Sequence, residues 1–106
     1  MIEMKRIEDL TSQITKEFNP ERIILFGSYG YGQPSEDSDV DLLVVLPFEG
    51  KAVRKAIEIR NKINSKVPLD LIVRTPEQLA ARLAQNDWFM REIVERGRTL
   101  YEANHQ

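Results

Sequence analysis

Three aspartates interrupt the apolar segments of this chain at spacings that suit chemistry. Asp39 and Asp41 lie two residues apart in "SDVDLLVV", and Asp70 lies in "PLDLIV". Side chains alternate faces along a strand, so Asp39 and Asp41 point one way and Val40 the other. Two carboxylates so placed repel each other, and one takes up a proton unless a cation sits between them. If the strands that carry them are neighbours, Asp70 reaches the same point. Three carboxylates from two strands then make an oxygen-only cage, the donor set that hard cations such as Mg²⁺ or Mn²⁺ require. The competing reading is a set of solvated strand ends. It fits Asp37, which lies between Ser35 and Ser38 in a run of turn residues. It fits Asp39 and Asp41 poorly, because nothing in a strand asks for two acids on one face. For Asp70 alone the two readings balance.

A second feature precedes the acids. Gly27-Ser28 follows the apolar run "RIILF" directly. Glycine lets backbone approach a ligand closely, and a serine hydroxyl with adjacent N–H groups can hold phosphate oxygens. Gly30 and Gly32 keep the turn small. The pair is neither a Walker A loop, since no G-K-[ST] follows, nor a dinucleotide fingerprint. A tight connection that needs glycine for its backbone angles would look the same.

The elements that must position these residues are legible in outline. Ile7, Leu10, Ile14 and Phe18 recur at helical spacing, and Asn19-Pro20 ends that helix. Arg22 to Phe26 reads as a first strand, and Gly27 to Pro34 as a turn with room for one helical turn. Val40 to Leu46 is a second strand. Ala52 to Ile63 is helical, with Val53, Ala56, Ile59 or Arg60, and Ile63 along one face. Leu69 to Val73 is a third strand. Thr75-Pro76-Glu77-Gln78 starts a helix with a capping box, expected to run to about Ala84. Asn86-Asp87 restarts a helix that stops at Gly97, and Arg98 to Tyr101 is a short final strand. This alternation indicates an α/β or α+β domain, a sheet of three or four strands flanked by helices. The short link between the first two strands favours an antiparallel pair.

Composition bounds the chemistry. With 106 residues the chain suits a single domain over 1–106. It has no cysteine, which excludes disulfides and thiolate metal sites. His105, close to the C-terminal residue, is its one histidine, and neither a His-based zinc site nor a Ser-His triad is expected within one chain. A net charge of −2 gives no global pull toward nucleic acid, and no direct nucleic-acid binding is expected. The N-terminal stretch lacks an apolar signal core, and Leu42 to Leu46 is too short to span a bilayer, so the expected setting is cytoplasmic, away from the membrane.

Taken together, "FGSYGYG" and "SDVDLLVV" resemble the G-S-x(~10)-D-x-D signature of the DNA polymerase β-type nucleotidyltransferase superfamily, above all its small stand-alone members, the minimal nucleotidyltransferases. The likeness covers most of the chain, including the third acidic strand "LDLIV". It implies the polymerase β-like nucleotidyltransferase fold. It implies that Gly27 and Ser28 hold the triphosphate of ATP and that Asp39, Asp41 and Asp70 bind two Mg²⁺ ions, with Mn²⁺ as the alternative. Asp70 is then the best general-base candidate, or positions the nucleophile through metal. Tyr31 stands where many relatives carry an arginine, so that cation is missing from this turn.

The same resemblance implies a role. Minimal nucleotidyltransferases are similar to the antitoxin of HEPN–MNT toxin–antitoxin pairs, which implies transfer of AMP from ATP to a tyrosine of a HEPN-type toxin. A binding antitoxin without catalysis, and the catalytic subunit of a small-molecule nucleotidyltransferase, are the alternatives; a homo-oligomer is left open. The candidate partner surface is "NDWFMREIVERG", because a helix cannot bury adjacent Trp88, Phe89 and Met90 on one narrow face, though a broad core contact with one incidental exposed residue is the slightly better reading. Lys51, Arg54 and Arg74 could reach phosphate, but solvated surface charge is the better reading for each.

Overall fold

Ile7, Leu10 and Ile14 line the buried face of α1 (Met4–Phe18) in the computed structural model of the chain, which describes residues 1–64 and 66–103. His105 lies outside the described residues. Asn19 closes α1 in the left-handed region, φ 49°, and its N–H returns to the Thr15 carbonyl. Asparagine tolerates that conformation better than most residues. β1 (Arg22–Phe26) leads directly into a single helical turn, α2 (Gly27–Gly30), and the chain returns as β2 (Val40–Val45). β1 and β2 are antiparallel, with Ile24 opposite Leu43 and Phe26 opposite Asp41.

α3 (Ala52–Lys62) then carries the chain over to β3 (Leu69–Arg74), which lies parallel to β2. A parallel pair needs such a crossover, because a tight turn can join only antiparallel strands. α4 (Pro76–Ala84), α5 (Trp88–Arg96) and β4 (Arg98–Glu102) complete the order. β4 pairs antiparallel with the free side of β1, giving a mixed sheet ordered β3-β2-β1-β4. β2 is central and reads as a nearly unbroken buried run, as expected of a strand covered on both faces; Asp41 is its one residue that is not buried.

The alternating faces define two cores. Ile23, Leu25, Val40, Leu42 and Val44 pack beneath α1 and α3 with Ile7, Ile14 and Ile59. Ile24, Phe26, Leu43 and Val45 pack beneath α4 and α5 with Leu79, Met90 and Ile93. Asp41 belongs by parity to the second face.

Local signals account for the helix ends. Thr75 caps α4 by accepting from the Gln78 N–H at 3.0 Å, and the Gln78 side chain accepts from the Thr75 N–H at 3.0 Å. Asp87 caps α5 by accepting from Phe89 and Met90. Gly97 ends α5 with φ −66°, so its glycine is not demanded by backbone angle. A Cβ there would meet the carbonyl oxygens of Ile93 and Leu25, and close packing excludes a side chain. One expectation fails. Val53 is 63% exposed and does not share the inward face of Ile59 and Ile63. No helix among the described residues is long and apolar enough to cross a membrane.

Candidate active site

Strand register brings two of the acids together. Asp41 and Asp70 are direct partners across the parallel β2–β3 pair, one strand spacing apart and on one face. Each is the second residue of its strand. Asp70 is exposed and Asp41 half-buried. Burial first, then the charges of Asp70 and Asp39, then a hydrogen bond with the Asp70 carboxyl push Asp41 up to about 6 from the usual 3.8. Asp39, exposed, precedes β2 by one residue and acts on Asp41 through its charge. Among the described residues no three acids already close round a single point. The arrangement is a tight pair, Asp41 and Asp70, with Asp39 beside it.

Gly27 stands against this pair. It has φ +66°, and a Cβ built on it would fall on Asp41 Oδ2. A glycine is needed here twice over, for backbone angle and for room. The close approach is to a carboxylate of the same chain. Gly30 has a similar constraint, since a Cβ there would strike the Leu25 carbonyl. Ser28 is half-buried next to Gly27, and its carbonyl accepts from the Gln33 N–H at 2.8 Å, which folds the rest of the turn back over α2. Asp37 is exposed in a turn held by Ser35 and Ser38, whose hydroxyls lie 3.0 Å apart. It takes no part in the site.

The three cations considered from sequence are elsewhere. Arg74 pairs with Val45, at the far end of β2 from Asp41, and donates to the Val73 carbonyl at 2.7 Å. Lys51 and Arg54 flank the start of α3, just after that same far end. A groove of about 470 Å³ between α1 and β4 is on the opposite face of the sheet, lined by neutral side chains such as Thr11, Ser12 and Leu100 together with Glu8, Lys16 and Arg98.

The sequence profile of the nucleotidyltransferase domain family matches residues 5–101, nearly the whole chain. The chain belongs to this family. It is a nucleotidyltransferase, and its relatives agree with its fold. A Methanocaldococcus jannaschii protein named "Putative protein adenylyltransferase" is 32% identical over 106 residues, covering 95% of this chain and 100% of that protein. A crystal structure of a nucleotidyltransferase so described from Sulfolobus solfataricus superposes with a TM-score of 0.59 at 21% identity, over 74% of this chain and 71% of that one. A crystal structure of a toxin–antitoxin with AMP-PNP superposes with a TM-score of 0.54 at 20% identity, over 92% of this chain and 74% of that one. At these identities the two structures speak for the fold.

Two neighbours of the candidate site, Phe26 and Arg96, were not singled out from the sequence. Phe26 is the cross-strand partner of Asp41, and its ring meets Phe89 edge-on at 5.9 Å. Phe89 in turn meets Trp88 at 6.1 Å, so an aromatic ledge leads from the acids to an indole that is 74% exposed. Met90, next in line, is buried. Arg96 lies over the Tyr31 ring at 4.5 Å from its centroid. The i, i+7 spacing of Phe89 and Arg96 puts them on one face of α5, a signal that was present but had no turn to attach to.

Proposed function

We propose that this nucleotidyltransferase moves AMP from ATP onto a hydroxyl of a protein acceptor, most simply a tyrosine of a HEPN-type toxin, and so acts as an antitoxin. The observation that carries the reading is the position of Asp41, set between Gly27 of the glycine-serine turn and Asp70 of the neighbouring strand. That placement joins a phosphate seat to a carboxylate pair. The name of the M. jannaschii relative supports a protein acceptor, and the toxin–antitoxin likeness supports the class of partner.

The roles follow from the chemistry of each group. Gly27 and Ser28 hold the triphosphate. Asp39, Asp41 and Asp70 are the metal donors. These residues fit a hard divalent cation: every donor is oxygen, and Asp41 is raised because two acids crowd it and one shares a hydrogen bond with it. Two Mg²⁺ ions, or Mn²⁺, bound there would relieve that repulsion and neutralise the phosphates. The acceptor oxygen forms its bond to the α-phosphorus as the bond from that phosphorus to the bridging oxygen breaks, and pyrophosphate leaves. The hydroxyl proton passes to the carboxylates, with Asp70, the more exposed of the pair, as the base. The partner docks along the exposed Trp88–Phe89 end of α5, beside the acids.

The test is intact-mass spectrometry of a candidate HEPN-type toxin after incubation with the chain, ATP and Mg²⁺. One added adenylyl group is expected. Asp70→Asn should bind ATP and partner yet add no mass. A toxin neutralised with no mass gain, equally by wild type and by the Asp39→Asn/Asp41→Asn double variant, would mean inhibition by contact alone.

A further inference from the structure

The turn that lacks an arginine is reached by one from another element. Arg96, the last residue of α5, lies with its guanidinium 4.5 Å from the centre of the Tyr31 ring. Tyr31 closes α2, its N–H donating to the Gly27 carbonyl at 2.9 Å, and its hydroxyl reaches back to the Gly27 backbone. The charges of Arg96, Glu92 and Asp41 all act on that hydroxyl. The chain of contact therefore runs from Arg96 through Tyr31 to Gly27 and on to Asp41. The side chain of Arg96 is 61% exposed, and one of its nitrogens bonds Glu92 at 3.0 Å. A guanidinium has five donors in a planar fork, so one bond to Glu92 leaves others free.

From this placement we propose that Arg96, carried on the ring of Tyr31, is the cation that receives the triphosphate beside Gly27-Ser28. The inference rests on the reading of that turn as the phosphate seat. The charge balance calls for such a group: Asp41 stands against Gly27 with Asp70 and Asp39 acting on it, and Glu92 acts on Tyr31, while Lys51, Arg54 and Arg74 lie at the far end of the sheet. Stacking holds the fork flat without consuming its donors, which suits it to phosphate oxygens. Glu92 competes with the nucleotide for that fork.

A purely structural Arg96, serving as helix-end charge and partner of Glu92, makes the opposite forecast for one variant, and this separates the two. Affinities for ATP with Mg²⁺, for inorganic tripolyphosphate with Mg²⁺, and for adenosine are measured by calorimetry on the full chain. Arg96→Gln should weaken ATP and tripolyphosphate alike, by about tenfold for a lost charge-assisted contact, and leave adenosine unchanged. Arg96→Lys should recover part of the loss, because charge returns without the fork. Glu92→Gln should tighten both phosphate ligands; a structural pair would make it resemble Arg96→Gln. Tyr31→Leu removes the platform and should weaken ATP binding. Thermal melts of every variant confirm a folded chain. Unchanged ATP affinity in Arg96→Gln, or a loss in Glu92→Gln, overturns the assignment. If instead wild type and Asp41→Asn fail equally to bind ATP, the phosphate seat itself is wrong, a failure distinguishable from that of Arg96.

Discussion

Gly27 and Asp41 share a space that only one of them can fill: a methyl group on residue 27 would land on the Asp41 carboxylate. Gly27→Ala is therefore expected to cost twice, through its φ of +66° and through displacement of Asp41. The backbone part alone is about 1–2 kcal/mol for a residue in the left-handed region. Denaturant melts should show that loss, and calorimetry should show ATP binding lost with it. Gly27→Val should be worse on both counts. An alanine variant with wild-type affinity would mean that the turn merely connects two strands.

Removing the repulsion should stabilise the empty site. The Asp39→Asn/Asp41→Asn variant is expected to melt higher than wild type in chelator at neutral pH. Wild type should gain stability with Mg²⁺ and ATP, by about 2.7 kcal/mol at a hundredfold excess over Kd. The variant should gain none. Differential scanning fluorimetry reads both arms, and an equal ligand-induced shift in the two proteins rejects these residues as the metal donors.

The pH dependence has a definite sign. Asp41 holds its proton more tightly in the folded chain than in the unfolded one, up to about 6 against 3.8. The folded state therefore binds more protons across that interval, and its stability falls as pH rises. The contribution is fully present below 3.8 and is lost as pH passes about 6. Urea melts of the metal-free protein across the interval should show the decline, and Asp41→Asn should flatten it. Mn²⁺ affinity should rise over the same interval, since cation and proton compete for one carboxylate.

Trp88 is the chain's one tryptophan and is 74% exposed, so its emission reports on whatever covers it. Docking of the acceptor protein should shift that emission to the blue. Trp88→Ala should weaken the complex by more than about 1 kcal/mol, as expected of an aromatic interface anchor. It should change folding stability by less than about 0.5 kcal/mol, because little of the indole is packed. Emission unmoved on complex formation would place the interface elsewhere.

What was legible in the sequence was local. The capping box at Thr75 and Gln78, the Asp87 cap and the hairpin after Phe26 are each specified by residues a few positions apart, and the sheet and its helices followed from them. The third acid was legible as a candidate because Asp70 repeats the pattern of Asp41, one acid among apolar neighbours. Its register was not, since the partner of Asp41 is fixed by how β3 docks after α3. The inward face of α3 was misjudged at Val53 because periodicity gives a stripe and not where the sheet beneath it ends. Arg96 was invisible as a neighbour of Tyr31, because no local rule links the end of α5 to the turn after β1. The position read as lacking a cation was read from one segment alone.

The two contacts of Asp41 differ in how far the chain must travel to make them. Its contact with Gly27 belongs to the β1–β2 hairpin, which closes through a short connection. Its pairing with Asp70 belongs to the parallel β2–β3 pair and waits for the whole α3 crossover. Loop-closure entropy makes the first early and the second late. A chain caught with only the hairpin formed holds the glycine turn with Asp39 and Asp41, and lacks Asp70. On the proposed assignment of the site, nucleotide binding then requires a paired β3, and an immature chain cannot draw on ATP before that pairing.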